Sequence, residues 1–170
     1  MTIVSEHDIG ELRFSLKNRL GEALVLTSPE DMLRYCRDWH GDVTSSAVAV
    51  IRPRSTEEVS DTVRACAELG LAIIPQGGNT GMAGGATPPA DGSAILLSMR
   101  RMNRIRSISA DDRRAVAEAG VILARLHEAA HEIGMRFPLT LGARGSCTLG
   151  GLASTNAGGT QVLKFGTMRA

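Results

Sequence analysis

Apolar side chains at Ile9, Leu12, Leu16 and Leu20 recur at helical spacing and predict a helix over residues 8–20, which Gly21 can close. Leu24–Leu26 reads as a short strand, and Ser28-Pro29-Glu30-Asp31 as a helix start with a cap, an N1 proline and an acidic first turn. Residues 38–42 (Asp-Trp-His-Gly-Asp) read as a loop. From Ala47 the pattern becomes that of an α/β unit. Ala47–Ile51 is a strand ended by Pro53. Ser55 and Glu58 make a capping box for a helix that buries Val59, Val63, Cys66 and Ala67. Gly70 closes that helix, and Leu71–Ile74 is a second buried strand. A β-α-β order of this kind predicts that the two strands run parallel. Ala94–Ser98 is a third strand, and Ile105–Ser109 with Ala115–Glu118 form a hairpin around Asp111-Asp112. Val121–Ile133 is an amphipathic helix, burying Ile122, Leu126, Ala130 and Ile133, and Gly134 stops it.

Glycine alters this picture. Nineteen of 170 residues are glycine, and 12 of them fall in the windows 77–92 and 142–159. The first window holds Pro75-Gln76-Gly77-Gly78-Asn79-Thr80-Gly81-Met82-Ala83-Gly84-Gly85, directly after a strand, and no charged residue occurs between Leu71 and Ala90. Such a loop can turn several backbone N–H groups toward one anion, with no carboxylate to repel it. The second runs Gly142-Ala143-Arg144-Gly145-Ser146-Cys147-Thr148-Leu149-Gly150-Gly151 and on through Thr155-Asn156-Ala157-Gly158-Gly159, adding hydroxyls, an amide and an arginine. Two such loops favour a dinucleotide over a simple turn. The usual motifs are absent, however. No two glycines flank a single residue, which excludes G-x-G-x-x-G, and Gly151-Leu152 stands where a P-loop needs Lys and Ser/Thr.

Charge narrows the function classes. A net charge of +1 gives no basis for general nucleic-acid or membrane-surface binding. Residues 133–170 carry Arg136, Arg144, Lys164 and Arg169 with no acid, a local bias suited to an anion. Cys36, Cys66 and Cys147 are an odd number without metal spacing, which points to reduced thiols and a cytoplasmic location. Met1–Gly10 lacks the apolar core of a secretory signal, and the longest uncharged stretches are too broken by glycine to span a membrane. At 43% hydrophobic and 22% charged, the chain reads as soluble and globular. His127-Glu128-Ala129-Ala130-His131 has the spacing of a zinc hydrolase helix, but residues 133–170 supply no third ligand, leaving His7 or His40 upstream; no metal is expected.

The Pro75–Gly85 and Gly145–Gly159 stretches together resemble the FAD-linked oxidases of the vanillyl-alcohol oxidase and p-cresol methylhydroxylase (PCMH) type. The likeness extends to Tyr35, Asp38-Trp39, Arg52–Val59, Arg101–Ile105 and Leu163–Gly166, and within the family it is to the branch of D-2-hydroxyglutarate dehydrogenase, D-lactate dehydrogenase and the glycolate oxidase FAD subunit. The resemblance implies an α+β, PCMH-type FAD-binding domain: an N-terminal helical extension (1–43), a first α/β lobe (44–109) and the start of a second, more antiparallel lobe (110–170). It implies that the FAD pyrophosphate lies between the lobes. Gly77, Gly78, Asn79, Thr80, Gly81 and Met82 would grip it from the first. Ser146, Thr148, Gly150, Gly151 and Asn156 would meet the pyrophosphate or flavin from the second, with Pro138 and Leu139 lining the ring. Asn79 stands where some relatives attach FAD through a histidine, so non-covalent binding is expected.

Family members are much longer, so the chain is expected to be an excised domain or a truncated product, inactive by itself. The resemblance implies a flavin-dependent oxidoreductase that converts a D-2-hydroxy acid to a 2-oxo acid and passes electrons to an external acceptor. The small hydroxy acid would be bound by a C-terminal domain beyond these residues, and no catalytic residue is assigned within them. Two alternatives stand beside it: a non-enzymatic flavin-binding or assembly module needing a partner chain, and, more remotely, a zinc hydrolase using His127 and His131. Homo-oligomerisation is left open.

Overall fold

A computed structural model describes residues 6–43 and 45–169. The first half of the Met1–Gly10 stretch, read above as lacking a signal, lies outside them. The chain divides into two compact units, Met1–Arg101 and Met102–Ala170. The first unit takes in the residues expected as a separate extension, and the β-hairpin expected to straddle residue 109 belongs whole to the second.

In the first unit, α1 (Glu6–Leu20) ends at Gly21, whose φ of 86° lets its N–H reach back to the Lys17 carbonyl. The strands β1 (Val25–Leu26), β2 (Val50–Ile51), β3 (Ala72–Gln76) and β4 (Ala94–Ser98) form one sheet in the order β1-β2-β4-β3. β1 is antiparallel to β2, whereas β2 and β3 each run parallel to β4. β4 therefore lies centrally, and all five of its residues are buried. Its two faces meet different cores. Ile95 and Leu97 pack with Leu16 of α1, Cys66 of α3 (Thr56–Glu68) and Ile51. Leu96 packs with Val50 and with Met32, Tyr35 and Cys36 in and after α2 (Pro29–Leu33). Burial on both faces explains why this strand is continuously apolar rather than alternating.

Three local features differ from those the sequence predicts. Leu71–Ile74 does not form a buried strand: β3 is an edge strand, shifted one residue on, with Ala72 and Pro75 exposed. Pro75 accounts for this, because a residue without an N–H is tolerated only where no neighbour needs it. In α3 the buried stripe is Thr62, Ala65 and Cys66, with Val59 and Leu69 partly covered, while Val63 is 47% exposed and Ala67 also faces outward. Thr62 can join a core face because its hydroxyl donates to the Glu58 carbonyl at 2.7 Å. The Ser55 hydroxyl caps the Glu58 N–H at 3.2 Å, as expected, but the Glu58 carboxylate closes on the Arg54 N–H instead of that of Ser55.

The second unit opens with the antiparallel hairpin β5 (Ile105–Ser109) and β6 (Arg114–Ala117), turned through Arg113 at a φ of 49°. α4 (Leu123–Glu132), closed by Gly134, and the short α5 (Leu149–Ser154) and α6 (Val162–Phe165) complete it. Its core gathers Val121, Leu123, Leu126, Leu139, Cys147, Leu149 and Leu152; Ile122 and Ile133 of the expected apolar stripe are only half-buried. Next to the hairpin, the fully covered Glu118 carboxylate accepts from the Arg104 N–H at 2.9 Å, from the Arg104 guanidinium at 2.9 and 3.1 Å and from Arg106 at 3.4 Å. These bonds, led by the Arg104 amide, hold its carboxyl below the usual carboxylate range against the opposing effect of burial.

A lowered folded-state pKa stabilises the protein above the unfolded value, and that contribution is lost as pH falls through the folded value. Glu118→Gln should therefore lower the denaturation midpoint at pH 7, and the gap to the wild type should close in acid, below about pH 4. Urea titrations across that range check it; a gap that is constant with pH contradicts it. Gly159 supplies a second test, since a Cβ there would lie 2.3 Å from the Thr140 carbonyl oxygen. Gly159→Ala should cost about 1–3 kcal/mol in the same titration.

Candidate functional site

The first glycine loop leaves the carboxyl end of β3, the end at which open parallel sheets receive ligands. Gln76, 1% exposed, is its clasp. Its side-chain amide donates at 2.9 Å both to the Tyr35 carbonyl and to the Ala86 carbonyl, so the two ends of the loop are held together. Asn79 adds a second tie, donating from its side-chain amide to the Arg37 carbonyl at 2.8 Å. Arg100 adds a third, donating to the carbonyls of Gly77 and Gly78 at 3.4 and 3.2 Å. Every tie uses a loop carbonyl or a side chain. Among the described residues, no backbone N–H from Gly77 to Ala86 donates to a protein acceptor.

That is the arrangement an anion needs. Unpaired N–H groups are costly unless something accepts from them, and this loop keeps a run of them ordered and free. The left-handed positions are Asn79 (φ 56°) and Gly84 (φ 72°), not Gly77, Gly78 or Gly81. The left-handed position nearest the start of the loop is thus held by asparagine, one of the few side chains that adopts this conformation readily. Gly77, Gly78, Asn79 and Thr80 are half-buried, whereas Gly81 and Met82 are exposed, Met82 to 72%.

In the second unit, the other glycine stretch is zipped to the segment before α4. Leu123 N–H donates to Cys147 at 3.1 Å, Leu149 N–H to Val121 at 2.9 Å and Gly150 N–H to Ala119 at 2.8 Å. A Cβ on Gly150 would lie 2.7 Å from the Ala119 Cβ, so close packing alone requires glycine there. Thr148 precedes α5 and is 2% exposed, yet its hydroxyl neither caps the helix nor finds another partner. A buried hydroxyl without a bond is costly in isolation and marks a position where a ligand can repay it. Gly151 lies beside that hydroxyl, and Ser146 is exposed. Asn156 is left-handed (φ 49°), and its side-chain oxygen accepts from the Arg169 N–H. Pro138 is half-buried, whereas the Leu139 side chain belongs to the core and its carbonyl pairs with His127 Nε2 at 2.9 Å. An open cleft of about 490 Å³ in this unit is lined by Glu118, Ala119, Phe137, Leu149, Gly150 and neighbouring residues.

His127 is engaged by that carbonyl and by the Phe137 ring, and His131 is exposed; no group of three metal-binding side chains occurs among the described residues. Burial pushes the thiols of Cys36, Cys66 and Cys147 upward, Cys66 to about 11, so none is primed as a nucleophile. Three residues that shape the site, Gln76, Arg100 and Arg37 (through its carbonyl acceptor), are missing from the expected set. Only Gln76 had a signal: a polar side chain at the end of an apolar run.

The first loop is charge-free and rich in unpaired N–H groups, a donor set that suits a phosphate anion. The second unit, by itself, carries the unpartnered Thr148 hydroxyl. The chain is 42% identical over 168 residues to the bovine (Bos taurus) mitochondrial D-2-hydroxyglutarate dehydrogenase, covering 99% of this chain and 30% of that protein. It is 38% identical to the D-2-hydroxyglutarate dehydrogenase of Xanthomonas citri pv. viticola (91% and 32% covered). It is 33% identical to a D-2-hydroxyglutarate–pyruvate transhydrogenase of Saccharomyces cerevisiae (98% and 33%). The chain thus spans about a third of the length of these relatives. Among solved structures, alkyldihydroxyacetonephosphate synthase superposes with a TM-score of 0.81 over 93% of this chain and 31% of its own, at 22% identity. Substrate-bound p-cresol methylhydroxylase gives 0.74 over 91% and 30%, at 19% identity. These likenesses establish the PCMH-type fold. Residues 47–170, well over half of the chain, match the model of the FAD binding domain, and the chain belongs to that family.

Proposed function

We propose that this chain is the FAD-gripping part of a flavin-dependent dehydrogenase that oxidises a D-2-hydroxy acid to a 2-oxo acid. The relatives named for D-2-hydroxyglutarate support the substrate class. The observation that carries the reading is the run of unengaged amides from Gly77 to Ala86, held open by Gln76, Asn79 and Arg100. The bound flavin supplies the acceptor for a hydride from the substrate carbon.

This chain's residues bind and orient. The amides of Gly77, Gly78, Asn79, Thr80, Gly81 and Met82 donate to the pyrophosphate, a set of charge-assisted bonds made to a pre-formed loop. Ser146, Thr148, Gly150, Gly151 and Asn156 contribute from the second unit, Thr148 through the hydroxyl that otherwise lacks a partner. Pro138 flanks the flavin ring, and Leu139, whose side chain lies in the core, anchors that segment. No residue here is assigned as the general base, and the substrate's carboxylate, the base and the external electron acceptor are assigned to the part of the relatives' length that these residues do not cover. Binding is non-covalent. Residues 77–86 contain no His, Cys or Tyr, and the Asn79 side chain is committed to the Arg37 carbonyl. Among the described residues no helix is long and apolar enough to cross a membrane, and the three unpaired cysteines suit a reducing, cytoplasmic setting.

The test is flavin binding by the chain itself. FAD mixed with the protein and then precipitated with acid should remain in the supernatant; yellow colour retained in the pellet contradicts non-covalent binding. Gly78→Val should weaken FAD binding at least about tenfold while leaving far-ultraviolet dichroism intact, because a branched side chain occupies the anion's approach. His127→Ala should lose about 1 kcal/mol of stability through its bond to Leu139 and leave FAD affinity unchanged. The reverse outcome, with Gly78→Val harmless and His127→Ala destroying binding, contradicts the assignment.

A further inference from the structure

Arg100 follows directly on the central strand β4, within the 3₁₀ turn Met99–Arg101, and its guanidinium is exposed. Its two bonds fall on consecutive peptide groups, from Nε to the Gly77 carbonyl and from Nη2 to the Gly78 carbonyl. A trans peptide is planar, with its C=O and N–H pointing in opposite directions. The carbonyl of Gly77 shares its plane with the N–H of Gly78, and the carbonyl of Gly78 shares its plane with the N–H of Asn79. A guanidinium that holds both carbonyls on its own side therefore turns both N–H groups to the other. Both N–H groups are among those without a protein acceptor. Glycine resists such rotation least of all residues, so the two peptide planes need an external hold. Asn79 completes it from the other end, left-handed and tied to Arg37.

We propose that Arg100 is a positioning residue for the cofactor phosphates: by fixing the Gly77 and Gly78 carbonyls it aims the Gly78 and Asn79 amides at the anion, without itself touching it. The inference rests on the flavin reading above. The fork matters as much as the charge, because a planar guanidinium spans two carbonyls at once and an ammonium does not. The guanidinium lies on the carbonyl side, so its contribution to affinity runs through the loop rather than through direct pairing with the phosphates.

Two measurements on the whole chain decide it. In the unliganded protein, Arg100→Ala should make the Gly78 and Asn79 amides more mobile, lowering their ¹⁵N heteronuclear NOE and shifting their resonances, while Gly84 and the amides of α3 stay unchanged. In titrations followed by flavin fluorescence, Arg100→Ala should weaken FAD binding about tenfold, and Arg100→Lys should recover less than half of that loss on a logarithmic scale. Unchanged order at Gly78 and Asn79 in the alanine variant overturns the proposal, as does full recovery by lysine, which would mean a through-space charge. Should the wild type show no flavin response in either glycine loop, the flavin reading fails. The loop-order comparison still judges whether Arg100 sets the two amides.

Discussion

The bidentate reach of one buried side chain organises the first unit's glycine loop. Gln76 sits at the last position of an edge strand, inside the core, and spends its amide on two carbonyls that belong to different stretches of chain, Tyr35 and Ala86. A loop of this length would otherwise pay a large conformational cost each time it bound an anion. Clasping its ends in advance removes much of that cost, and because the clasp, Asn79 and Arg100 all work through carbonyls or side chains, the backbone donors stay available. The sheet supports this in turn. β4 is buried on both faces between two separate cores, and Gln76 at the end of β3 and Arg100 in the turn after β4 stand beside its carboxyl end.

Glycine plays different parts in the two units. In the first loop it leaves the backbone uncovered, so that donors are accessible. In the second, at least two glycines are there because backbone lies against them: Ala119 beside Gly150 and the Thr140 carbonyl beside Gly159. Close packing brings the 144–150 segment against residues 119–124, and it is this zipping that leaves the Thr148 hydroxyl buried and unbonded beside Gly151. Two stretches alike in composition thus differ in consequence: free backbone amides in the first, and a single unpartnered hydroxyl in the second.

Much of this was legible in the sequence because it depends on local rules. Gly21, Gly70 and Gly134 end helices with positive φ, as their spacing after apolar periodicity requires, and Ala94–Ser98 is the strand its uninterrupted apolar run predicts. The order of strands was not legible. Nothing local says that β4 inserts between β2 and β3, and that insertion makes β3 an edge. At the candidate site, glycine content and resemblance pointed to the loop whose amides lack protein acceptors. The residues that aim them were not, since Arg37 and Arg100 act from 42 and from 22–23 positions away, through bonds that leave no periodic trace.

The free amides of the first glycine loop are proposed to receive the cofactor, and an FAD titration of the ¹⁵N-labelled chain, followed residue by residue, tests this. Saturable shifts are expected at the amides of Gly77–Met82 together with Thr148, with little change along α4. Shifts confined to the His127–His131 face, or none in the loop at saturating FAD, would contradict it.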